Sequence, residues 1–154
     1  QGPTTRHETW RSIACMIGHW QIHGYGPYAI EGKNQGSLLG ICGYWYPGEW
    51  PEPEIKWGLL ENYQGKGFAK EAATAVLAEA KQSLPEIPFI SLIHPDNHAS
   101  IKLALSLGAV FEKEIDFWWG RFQIYRHQRA LYTLRKRTIN NSALTETPAI
   151  NEIQ

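Results

Sequence analysis

Cysteine, methionine and net charge are all scarce in this chain of 154 residues. The two cysteines, Cys15 and Cys42, are too few for a disulfide framework, and neither sits in a CxxC or other metal-ligand spacing. They read as reduced thiols, and no metal is expected. Fifteen Lys and Arg against fifteen Asp and Glu leave a formal charge of zero. The basic field that nucleic acid or an anionic membrane surface demands is therefore missing, and neither partner is expected. No apolar run approaches the ~20 residues of a membrane span, no signal peptide is visible, and there are no internal repeats, so the expected location is cytoplasmic. What is present is enough to fold: 43% apolar residues, 12% aromatics and seven Trp imply one domain with a sizeable core.

The chain is organised around residues 54–80, EIKWGLLENYQGKGFAKEAATAVLAEA. Glu54–Leu60 alternates as a strand, with Ile55, Trp57 and Leu59 on one face and Lys56, Gly58 and Leu60 on the other. Glu61–Lys66 is a turn, and from Gly67 the composition becomes helical. Gly65 and Gly67 let the backbone bend tightly and approach a ligand. The amides that follow open a helix, lack intrahelical partners and suit a phosphate or pyrophosphate. A Walker A loop is excluded, because no Gly-Lys-Ser/Thr follows. A dinucleotide fingerprint is excluded as well, because its third glycine would fall on Lys70.

Before this block the pattern predicts a helix over 4–22, opened by a capping box from Thr4 or Thr5 to Glu8 and stopped by the Gly/Pro cluster after His23. Tyr28–Glu31 and Ser37–Trp45 pair as a hairpin, and Gly40 and Gly43 mark a close neighbour or a bulge. A proline-rich loop, 46–53, leads to the central strand. After the helix ending near Ser83 comes a buried strand, Phe89–His94. A helix over 99–107 follows, capped by Pro95-Asp96-Asn97-His98 and ended by Gly108. Ala109–Phe117 and Phe122–Tyr132 form an antiparallel pair turning near Trp119. A domain over 1–134 then gives way to a polar tail, 135–154. Strands alternating with helices after residue 54 favour a mixed sheet with helices on its faces.

Two blocks carry a family likeness. Gln64, Gly67 and Ala69 match the pattern Gln/Arg-x-x-Gly-x-Gly/Ala, and HPDNHASIKLALSLGAVFEKE matches P-x-N-x-x-S…L-G-A/F at the expected separation. With Gly18-His19-Trp20 and Trp50-Pro51-Glu52-Pro53-Glu54, the likeness covers roughly residues 10 to 130. The chain resembles the GNAT superfamily of acyl-CoA-dependent N-acyltransferases, and within it the ribosomal-protein N-terminal acetyltransferase branch.

The resemblance implies an α/β (α+β) fold. A mostly antiparallel mixed sheet is flanked by helices and split between the central strand and the parallel strand after it, with Gly58 placed for a bulge that splays them. It implies acetyl-CoA as co-substrate. Main-chain groups of Gly58, Leu59 and Leu60 would meet the pantetheine, and Gln64, Gly65, Lys66, Gly67, Phe68 and Ala69 the pyrophosphate. Asn97 would bond the pantetheine, its bland alternative being a plain helix cap, and Ser100 would face the sulfur. The family's tyrosine acid would fall on Ala104, which moves that role to Ser100. The family's first strand and helix have no counterpart ahead of residue 4, and the start at Gln-Gly-Pro instead of Met suggests a tag remnant or an incomplete N-terminus.

The implied reaction is direct acetyl transfer to a primary amine, on a peptide N-terminus or a small molecule, with room for a homodimer. Glu54 is the first choice of base, ahead of Glu112 and Glu114, with His19 and His94 behind. Trp45, Trp50, Trp118 and Trp119 are candidates for the acceptor wall, against plain packing. The alternative from another class is a module on the same fold that binds acyl-CoA or a partner protein without turnover.

Overall fold

A computed structural model describes residues 5–33, 36–118 and 120–128. Trp119, the far end of the last expected strand and the 135–154 tail lie outside them.

The elements follow local chemistry closely. Helix α1 (Arg6–His23) opens on the expected capping box: Thr5 accepts from the Glu8 amide while the Glu8 carboxylate accepts from the Thr5 amide. It ends at Gly24 in the left-handed conformation. Strands β1 (Pro27–Glu31) and β2 (Leu38–Trp45) form the hairpin. Both hairpin glycines are explained by close approach. A Cβ on Gly40 would lie 2.1 Å from the Gly58 carbonyl oxygen, and one on Gly43 2.5 Å from that of Gly26.

Strand β3 (Glu54–Leu59), a single 3-10 turn (Glu61–Tyr63) and helix α2 (Phe68–Ser83) make the central block. Strand β4 (Ile90–Ile93), helix α3 (His98–Ser106) and strands β5 (Val110–Phe117) and β6 (Gly120–Arg126) complete the described chain. The sheet order is β1-β2-β3-β4-β6-β5. Every pairing is antiparallel except β3–β4, which is parallel and holds at a single pair, Glu54 opposite Ile90. The expected mixed, split sheet is what forms.

The cause of the split differs from the expected bulge at Gly58. The β2–β3 register runs evenly through Gly58, and the register shifts lie in β1 and β5. Instead, two side chains replace the next backbone rung between β3 and β4. Ser91 Oγ donates to the Ile55 carbonyl at 2.8 Å, and the Leu92 amide donates to Glu54 Oε2 at 3.2 Å. Each freed backbone group is satisfied by a side chain, so the strands can part without burying an orphan.

Tyr44, Ile55, Ala73, Val76, Ala80 and Phe89 pack between the sheet and the small-residue face of α2. Ile93, Ala104, Ala109 and Tyr125 form a second cluster under α3. Trp57 packs against both and bridges the split. Helix α1 lies over the other face. Its apolar row at helical spacing does not form core: Trp10, Ile13 and Ile17 are exposed, and only His19 is buried. The helix is held near its end, where Trp20 Nε1 donates to the Pro27 carbonyl.

Candidate active site

Where β3 and β4 separate, a cavity of about 240 Å³ passes between them, lined by Glu54, Lys56, Trp57, Asn97, Ser100 and Phe122 among others. Strand alternation assigns these residues to two faces. Trp45 pairs with Glu54 and stacks on His19 of α1 at 4.9 Å, so Glu54 and Lys56 share the α1 face. Ile55 and Trp57 share the α2 and α3 face. The cavity joins the two.

Glu54 is 6% exposed, and burial pushes its carboxyl up to about 7. The nearby Lys56 ammonium, the Leu92 amide and the Trp50 indole each oppose that rise. Both protonation states are therefore accessible near neutrality. Lys56 lies with its Nζ 4.6 Å from the Trp45 ring centre, its ammonium disfavoured by burial and favoured by Glu54.

On the opposite face, Asn97 caps α3: its Oδ1 accepts from the Ser100 amide at 3.1 Å. The cap uses only the oxygen, and among the described residues the side-chain Nδ2 of Asn97 donates to none, so capping and ligand binding are compatible. Ser100 Oγ accepts from Trp57 Nε1 at 3.2 Å, which leaves the serine proton available to donate. Ala104 is fully buried in the core under α3, so that position faces packing and not the cavity.

The open edge of β3 leads to the turn. The Leu60 amide donates to the Leu39 carbonyl. In an antiparallel ladder the backbone groups alternate sides, so Gly58 and Leu60 face β2, while Trp57 and Leu59 face the gap. Of the three residues expected there, only Leu59 qualifies, and Trp57 joins it. Gln64 Nε2 donates to the Leu59 carbonyl at 3.1 Å and ties the turn to the strand. Lys66 Nζ donates to the Asn62 carbonyl.

Gly65 and Gly67 have φ of +71° and +86°, with open space where a Cβ would sit. Gly67 is the N-cap of α2 and has no side chain to satisfy the amides of Phe68, Ala69 and Lys70. Those outward amides and the clear space above two glycines fit a pyrophosphate, and the Trp57 peptide groups and Leu59 amide at the β3 edge fit an amide-bearing arm such as pantetheine.

The chain belongs to the GNAT acetyltransferase family. The family's domain model, an acetyltransferase (GNAT) domain, matches residues 1–110. An uncharacterized Bacillus subtilis protein, YkkB, is 31% identical over 110 residues, covering 68% of this chain and 63% of that protein. The chain thus spans less than two thirds of that relative. An acetyltransferase from Agrobacterium tumefaciens superposes with a TM-score of 0.75 at 26% identity, over 83% of this chain and 75% of that one. A ribosomal L7/L12 protein acetyltransferase, RimL, solved in complex with coenzyme A, superposes at 0.65 and 18% identity, over 82% and 74%. That last likeness is one of fold.

GNAT enzymes use acetyl-CoA, and the described residues contain no group of side chains able to hold a metal. None of the described helices is long and apolar enough to cross a membrane.

The other base candidates fall elsewhere. Glu112 accepts from Arg126 Nε at 2.7 Å, and Glu114 accepts from Gln123, both away from the cavity lining. His19 is buried between two backbone partners: its Nε2 accepts from the Tyr46 amide, so its Nδ1–H donates to the Tyr25 carbonyl. It braces α1. His94 lines the cavity and lies 3.7 Å from the Asp96 carboxylate.

Of the candidate wall, Trp45 is nearly buried, Trp50 packs edge-on against Phe117, and exposed Trp118 stacks on Phe117. Phe117 in turn meets Phe122 at the cavity. Sequence reasoning missed Lys56, Trp57, Leu92 and Phe122. Lys56 was within reach, since two residues along a strand return to the same face.

Proposed function

We propose that this chain is an N-acetyltransferase that moves an acetyl group from acetyl-CoA directly to a primary amine, on a peptide N-terminus or a small molecule. The observation that carries the reading is the single cavity through the split sheet, with an ionisable carboxyl at about 7 on one face and Asn97 and Ser100 on the other. Acetyl-CoA, when bound, supplies an acyl group activated as a thioester. Its pyrophosphate would meet the amides at 64–69, and its pantetheine the Trp57 and Leu59 backbone and Asn97.

Glu54 takes the proton from the attacking amine, directly or through water. A base with a pKa near the working pH suits that step. The β3 amides facing the gap stabilise the negative charge that develops on the carbonyl oxygen. Ser100, held in aim by Trp57, donates its hydroxyl proton to the departing sulfur and is reprotonated through water by the proton that Glu54 took, so the amine's proton ends on the thiol. The cavity walls fix the two reactants, which supplies much of the rate.

The test is thermal stability with acetyl-CoA against ATP and NAD. A ligand that binds only the native state adds about 2.7 kcal/mol at 100 times its Kd. Acetyl-CoA alone is expected to raise the melting temperature, and Gly67→Val, which puts a β-branched residue at a positive φ, is expected to abolish the shift. An equal shift in that variant removes the turn from the binding site. A shift without acyl transfer to any amine would favour a binding module.

A further inference from the structure

Lys56 is not explained by the reaction above. It sits two residues from Glu54 on the same face of β3, roughly 7 Å along the strand. Its ammonium lies over the Trp45 ring, which in turn stacks on His19. Among the described residues the Lys56 ammonium makes no ion pair within 4 Å and no hydrogen bond. The titratable groups around it are Glu54 beside it, whose carboxylate favours the ammonium, and, from α1, Cys15 and His19. No described group accepts a hydrogen bond from this half-buried cation, whose partner is the Trp45 ring, so its donors are available to an anionic group at the wall of the cavity.

Resting on the acetyltransferase reading, the geometry points to Lys56 as an acceptor-selecting residue that docks a carboxylate lying a few atoms from the amine to be acetylated. Glu54 and Lys56 form a fixed dipole on the acceptor face. A simple ammonium entering there gains at Glu54 and loses at Lys56. An acceptor carrying both charges gains at each, and only such an acceptor is matched to the pair. N-terminal Asp and Glu peptides and acidic amino acids belong to this class. Polyamines, with further cations near the amine, are repelled.

The decisive comparison uses two peptides alike in shape, one beginning with Asp and the other with Asn. The wild-type chain is expected to acetylate the Asp peptide with at least a tenfold higher kcat/KM, the difference lying in KM. Lys56→Gln should bring that ratio within about threefold of unity, and Lys56→Arg should keep most of it. If Lys56 acts only by tuning Glu54, both peptides change together and the ratio survives in Lys56→Gln, which overturns the proposal. So does a wild-type ratio near one.

Failure of the transferase reading looks different, with no acetylation of either peptide despite stabilisation by acetyl-CoA. Calorimetric titration of the two peptides into coenzyme A-saturated protein then reads the same preference as a ratio of Kd values. Equal binding of the two overturns the proposal there as well.

Discussion

The seam between β3 and β4 is shut at one end and open at the other. At the shut end the strand groups are bonded. Glu54 and Ile90 pair, the Ile90 amide bonds the Pro53 carbonyl, Ser91 covers the Ile55 carbonyl, and Glu54 covers the Leu92 amide. Behind them His127, 4% exposed, places its Nε2 2.9 Å from Ser91 Oγ. Because Ser91 donates to Ile55, the imidazole must donate to Ser91, which assigns the proton to Nε2. A few residues along, at Trp57 and Leu59, backbone groups face an open gap, and Gly65 and Gly67 hold a turn with nothing above it. The lesson is that a rigid closed end makes the open end useful. The split is stable because two side chains replace a rung, and one of them, Glu54, is also the candidate base.

Glu54 and Glu52 sharpen the contrast. Glu52 accepts from both terminal guanidinium nitrogens of Arg126, at 2.6 and 2.7 Å, and those bonds hold its carboxyl below the ordinary range. Glu54, two residues on, has no ion-pair partner within 4 Å among the described residues, and burial drives it the other way. The same residue type is a strut at one position and a titrating group at the other.

Removing the titrating group should have the largest effect. Glu54→Gln keeps the shape and an oxygen for the Leu92 amide but cannot take a proton. A fall of about 10² to 10⁴ in kcat/KM is expected, with the acetyl-CoA melting shift retained. A smaller change in steady-state kinetics would move the base elsewhere on the cavity wall, with His94 the first alternative.

Loosening the shut end comes next. Ser91→Ala exposes no new surface but leaves the Ile55 carbonyl and the His127 Nε2–H without partners. A loss of roughly 1–3 kcal/mol in urea unfolding is expected. An unchanged midpoint would mean that the backbone pair alone holds the seam.

The finest test is pH. Glu54 rises from 4.5 to about 7 on folding, so its stability contribution is whole below 4.5 and is lost as pH climbs towards 7. His127 falls from 6.5 to about 4 through burial, so its contribution is whole above 6.5 and is lost as pH drops towards 4. Between 4.5 and 6.5 the two slopes, each about 1.4 kcal/mol per pH unit, oppose one another. Glu54→Gln should unmask a stability that rises with pH across that window, and His127→Asn one that falls. Parallel profiles for both variants in chemical unfolding would refute the opposition.

Much of the fold was legible from short-range pattern. The Thr5–Glu8 capping box, the Gly24 stop, the Asn97 cap and the turn glycines are decided by residues a few positions apart, and each stands where expected. The α1 row misled because spacing reports which residues share a face and says nothing of what covers that face. Trp10, Ile13 and Ile17 share one and stay exposed. Gly58 misled for a related reason. A glycine in a strand is compatible with a bulge, but the β2–β3 register runs evenly through Gly58, and it is Gly40 in the neighbouring strand whose missing side chain makes room for the Gly58 carbonyl.

By itself the sequence determined the element order, the caps and the turn with its outward amides, because those rest on backbone conformation and hydrogen bonds within a turn or two. Only the tertiary structure decided that the sheet parts after one β3–β4 pair, that Trp57 faces the gap in place of Gly58, and that the Glu54 carboxyl is pushed up while that of Glu52 is held down. Those outcomes depend on burial and on charges brought together from distant positions: Leu92 lies 38 residues from Glu54, and Arg126 lies 74 from Glu52. A carboxyl's proton affinity is set by the solvent it loses and the partners it meets, and neither is written beside it in the chain.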